Sequence, residues 1–110
     1  ASSRVNVDWR AEGPIPRRDA KLAFLLLMCV DDLLPWGGRI VINRSGDQWM
    51  IEARADKMKV RKELWDMIND PDVTQVGAPD VHFALVHQTA LAVRRQVATF
   101  LGDTRATLSF

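Results

Sequence analysis

Nine consecutive apolar residues, Leu22 to Val30 within KLAFLLLMCVDDLLPWGGR, constrain this chain more than any other stretch. The run predicts a helix from about Arg17 to Leu34, covered on nearly all sides. It is about half of the ~20 residues that span a bilayer, and Asp31 and Asp32 follow at once. A central core helix is therefore expected, and no membrane anchor. Pro35 stops the helix, Gly37 and Gly38 turn the chain, and Arg39 to Asn43 (RIVIN) opens a strand. Asp19 can cap or complement the helix start.

Around this helix the chain alternates short strands and helices. Arg4 to Arg10 sets Val5, Val7 and Trp9 against polar residues, the pattern of a half-buried strand, and Ala11 to Pro16 is a loop. Ile40 to Asn43 and Gln48 to Ala55 form a hairpin linked by Arg44 to Asp47, whose Gly46 and Asp47 suit a tight turn. Asp56 can cap a second helix, Lys57 to Asn69, with Val60, Leu64, Met67 and Ile68 on one face. Asp70-Pro71-Asp72 ends that helix, and Asp72 to Pro79 is a connecting loop. A third helix, Asp80 to Arg95, carries Phe83, Val86, Ala90 and Val93 on one side. Val97 to Leu101 and Arg105 to Phe110 are closing strands around a Gly102-Asp103 turn. This order predicts an α+β fold: a two-layer sandwich whose mixed, mainly antiparallel sheet carries its helices on one face.

The 110 residues read as a single domain, 1–110, with room for one core. Apolar residues at 47% and charged residues at 26% argue against disorder. Fifteen Lys plus Arg against fourteen Asp plus Glu lacks the basic excess of a nucleic-acid binder. Cys29 sits within the apolar run and reads as a buried, inert thiol. The polar start, rich in Pro and Arg, carries no signal-peptide pattern, so a reducing cytoplasm is expected. His82 and His87 share the third helix at a spacing that puts them on different faces. Each reads as a surface or cleft residue, with phosphate acceptance as the alternative, and no metal-ligand cluster is visible.

With those elements placed, the chain resembles the Bergerat-type ATPase domain of histidine kinases. The core helix corresponds to the N box, Asn-Leu-x-x-Asn-Ala-x-x-x-x-Pro. Counting back from Pro35, the two asparagines fall on Leu25 and Cys29, and a lysine frequent three positions later falls on Asp32. Gly77 to Phe100 corresponds to the second glycine box and its sequel: His82 replaces a glycine, and Arg94-Arg95 stand where Gly-Gly belongs. The closing GDTRATLSF resembles the terminal Gly-x-x-Thr-x-Phe strand, while Asp-x-Gly-x-Gly has no counterpart. The resemblance thus implies a kept scaffold with a vacated nucleotide cleft at Leu25, Cys29, Asp32 and His82, holding neither ATP nor magnesium.

A kinase ATPase domain without its ATP site is similar to the C-terminal domain of ChpT-type histidine phosphotransferases. Leu34-Pro35-Trp36-Gly37-Gly38 and the upstream strand ending Val7-Asp8-Trp9 carry that likeness. It implies a domain without catalysis of its own and without cofactor, in a bacterial two-component phosphorelay. The implied partners are response-regulator receiver domains and a hybrid histidine kinase. The phosphate-carrying histidine, and the homodimer, would belong to an N-terminal helical hairpin outside these residues. Within the basic run Arg54, Lys57, Lys59, Arg61 and Lys62, the candidate partner contacts are Arg61, Lys62 and Trp65; the alternative is a solvated helix face. A stand-alone interaction domain and a diverged ATP-binding kinase domain remain the competing functions.

Overall fold

The computed structural model describes residues 4–69, 77 and 80–110. Five strands form one sheet in the order β1-β2-β3-β5-β4. They are β1 (Val5–Trp9), β2 (Gly38–Ser45), β3 (Gln48–Arg54), β4 (Ala98–Leu101) and β5 (Arg105–Ser109). Helix α1 spans Arg17–Asp32, α2 spans Lys62–Trp65 and runs on as a 3-10 turn over Asp66–Asn69, and α3 spans Val81–Ala92. β1 and β2 are parallel, a pairing that needs the α1 crossover, and the other pairs are antiparallel.

Strand register explains the two layers. Ile42, Ile51 and Leu108 face one another across β2, β3 and β5, and Ile40, Ala53 and Ala106 make the next row. These six are buried together with Trp49, and Leu22, Leu26, Val30, Phe83 and Val86 of α1 and α3 complete the core. The alternate residues point to the other face. There Arg54 and Arg105 both bond Glu52, and the Arg54 hydrogen bond holds its carboxyl below the usual carboxylate range. The helices therefore lie on one face of a mainly antiparallel sheet, as the element order predicts.

Two glycines fix where β2 begins. Gly37 and Gly38 take φ of +97° and +156°, and a Cβ on Gly38 would stand 2.7 Å from the Arg54 carbonyl oxygen. Only glycine lets the Pro35–Gly38 turn press this close to β3. In the first hairpin Ser45 pairs with Gln48, leaving Gly46-Asp47 as the turn. In the second, the Gly102 amide donates to the Arg105 carbonyl at 2.8 Å. That bond moves the turn to Asp103-Thr104, one residue later than expected.

Several boundaries differ from expectation for identifiable reasons. The second helix starts at Lys62, not Lys57. The Lys59 amide instead donates to the Leu33 carbonyl at 3.0 Å, satisfying an acceptor left open where α1 ends. Asp56 consequently caps no helix, and Val60 lies exposed. The expected stop at Asp70-Pro71-Asp72 and all of the loop to Pro79 except Gly77 lie outside the described residues. Helix α3 ends at Ala92 because Arg94 turns left-handed at φ +57°, and the Arg95 amide reaches back to the Ala90 carbonyl at 2.9 Å. Asp19 makes no capping bond; it is buried in the first turn of α1 and pairs with Arg95. The cover over α1 is also incomplete, since Phe24 and Met28 are exposed. Among the described residues, no helix is long and apolar enough to cross a membrane.

Candidate functional site

The end of α1 decides what the cleft can hold. Leu25 and Cys29 are both buried in the core. Burial pushes the Cys29 thiol well above its ordinary pKa, and the nearby Asp32 charge adds to this. A neutral thiol packed on all sides is neither a nucleophile nor a magnesium ligand.

Asp32 ends α1, where a negative charge opposes the helix dipole. Arg61 answers it with two bonds, Nε at 3.0 Å and Nη2 at 2.5 Å from the two carboxylate oxygens. The same Nη2 donates to Asp80, immediately before α3, at 2.8 Å. These bonds, those to Asp32 foremost, raise the Arg61 pKa further. One planar guanidinium thus joins the end of α1, the approach to α2 and the start of α3. Two adjacent acids at a helix end, Asp31 and Asp32, are themselves a sequence signal for a basic partner. The part played by Asp80 left no such signal.

His82, in the first turn of α3, is half-buried with its ring 4.7 Å from the Phe83 ring. Its Nε2 is enclosed and has no hydrogen-bond partner among the described residues. Trp65 is only 5% exposed and meets Phe83 edge-on at 5.4 Å. Of the three candidate partner contacts, Trp65 therefore belongs to the core and Arg61 to the internal clamp, while Lys62 projects freely. The structure brings Asp32 and Arg61 together and packs Leu25 and Cys29 into the core. Among the described residues, no group of three or more His, Cys, Asp and Glu could hold a metal ion.

An open concavity of about 760 Å³ lies at the Gly37–Gly38 corner. Arg4, Arg39, Arg54 and Lys57 line it, with Asp56 as the only acid among the described residues there. The Lys57 ammonium rests over the half-exposed Trp36 ring at 4.3 Å from its centroid. Sequence reading found Arg54 and Lys57 in a basic run. It could not add Arg4 and Arg39, which arrive from β1 and β2.

A two-layer α/β scaffold with an apolar core helix packed on one mainly antiparallel sheet defines a histidine-kinase-ATPase-like fold. Solved structures carry the same fold. A bacterial phosphotransferase superimposes with a TM-score of 0.83 at 14% identity, over 97% of this chain and 55% of that one. The histidine kinase domain of the Erythrobacter litoralis EL346 blue-light activated kinase gives 0.61 at 14%, over 98% and 54%. The mycobacterial sensor histidine kinase MprB gives 0.61 at 11%, over 98% and 82%. No curated protein sequence matches. Residues 1–105 match the histidine phosphotransferase C-terminal domain family, and the chain belongs to it. It spans about half the length of the phosphotransferase it matches.

Proposed function

We propose that this chain, as one domain, is the nucleotide-free module of a histidine phosphotransferase in a bacterial cytoplasmic phosphorelay. It passes phosphate between receiver domains of a hybrid histidine kinase and a response regulator, on a histidine that lies outside these residues. The domain performs no chemistry itself. It supports the dimeric helical hairpin that carries the acceptor, and it docks receiver domains. The observation that carries this reading is the makeup of the end of α1: Leu25 and Cys29 are core, and Asp32 is clamped by Arg61. A polyphosphate there would meet two acids and no free cation of the clamp. The exposed cations Arg39, Arg54, Lys57 and Lys59 suit the acidic phosphorylation pocket of a receiver domain.

Two measurements test it. Titration calorimetry with magnesium-ATP is expected to give no saturable heat; binding at micromolar levels would overturn the reading. In a phosphotransfer assay with a phosphorylated receiver domain, residues 1–110 alone are expected to take up no label, while the full-length protein does. Label on the isolated domain would move His82 and His87 to the centre of the chemistry.

A further inference from the structure

Helix α1 is apolar on two faces, and only one is covered. Phe24 and Met28 lie one turn apart on its outer side, 57% and 49% exposed. The Trp9 ring stacks on Phe24 at 5.7 Å. Val7, two residues earlier on the same face of β1, is 54% exposed. Along the helix this patch is bounded by exposed Arg17 and Lys21 on one side and by Asp31 on the other. A helix apolar all round belongs inside a structure, and clustered Trp, Phe and Met are the composition of an interface centre.

We propose that this face seats the segment preceding the domain in the longer phosphotransferase chain. That segment lays an amphipathic helix along α1, its apolar side on Phe24, Met28 and Trp9 and its acidic residues toward Lys21 and Arg17. Two observations select this occupant. The family is a C-terminal domain, and the chain covers 55% of the matching phosphotransferase, so such proteins hold further chain to place. The backbone passes from Arg4 directly into β1, which carries Val7 and Trp9. A preceding segment is therefore delivered to the patch by its own linkage, at an effective concentration on the order of millimolar. The inference rests on the same placement as the phosphorelay reading, but its test involves no phosphate, so either can fail alone.

Hydroxyl-radical footprinting of the full-length protein, against residues 1–110 alone, reads the patch directly. Labelling of Trp9, Phe24 and Met28 is expected to fall about fivefold or more in the full-length protein. Phe100, exposed on β4, should label equally in both and serves as the internal control. The double substitution Phe24→Glu, Met28→Glu should raise Trp9 labelling in the full-length protein to the level seen in residues 1–110 carrying the same two changes, which also allows for loss of the Trp9–Phe24 stack. Equal labelling of the patch in both forms would overturn the proposal. So would protection in residues 1–110 alone that grows with concentration, since a second copy would then be the occupant.

Discussion

Replacing Arg95 with alanine is expected to lower stability by about 3–5 kcal/mol, because it strands a buried charge. Asp19 is the one buried charged residue among those described, and Arg95 Nη2 lies 3.1 Å from its Oδ2. Arg95 also donates to the Asp47 carbonyl at 2.6 Å and sits over the Phe110 ring at 5.6 Å. It therefore ties the start of α1 to the β2–β3 turn and to the end of β5. The positive end of the α1 dipole offers Asp19 only about 0.3–1 kcal/mol, so it cannot replace the lost cation. For a domain of this size the melting temperature should drop by about 15 °C. Lysine at 95 should recover part of the loss, lacking the planar fork. Pairing Arg95→Met with Asp19→Leu should recover most of it. A melt of Arg95→Ala within about 2 °C of the parent would mean that Asp19 is satisfied in another way.

The second large effect concerns the position where histidine kinases carry asparagine. Cys29→Asn is expected to destabilise by about 2–5 kcal/mol, summing an orphaned amide and an overfilled site. Cys29 is fully buried, and its own side chain asks for no partner beyond van der Waals contact. An amide there would bring two donors and an acceptor into the apolar core. Cys29→Ala should cost only about 1 kcal/mol, which isolates the polar penalty from the loss of volume. Denaturant midpoints of the two variants give the comparison directly. Stability held within about 1 kcal/mol, together with magnesium-ATP binding, would show that a usable cleft survives beneath the packing.

Both cases bear on how much the sequence disclosed. The apolar period of α1, the alternation in β2 and β3, and the Pro-Gly-Gly turn are local signals, and they placed the sheet, the core helix and the layer order. The burial of Leu25 and Cys29 was equally legible, because both stand inside the apolar run. Interactions between distant segments were not. Lys57 to Arg61 carries helix-compatible residues, yet the Leu33 carbonyl and the two carboxylates of the Arg61 clamp hold that stretch out of helix. Arg94 looks like any surface arginine. Its left-handed backbone comes from the need to bring Arg95 onto Asp19. The exposure of Phe24 and Met28 was hidden for the opposite reason: periodicity reports that a face is apolar, but not whether a neighbour within these residues covers it.

The parallel pairing of β1 has a kinetic corollary. The β2–β3 and β4–β5 ladders each close across a two-residue turn, so they can zip early from local encounters. β1 has no hairpin partner and meets β2 only after the whole of α1 has been laid down between them, as the Asp8–Arg39 pairing across a separation of 31 residues shows. Closing that loop costs more entropy than either hairpin, and the β3–β5 pairing of Ala53 with Ala106 spans a longer one still, so both non-local ladders form after the hairpins.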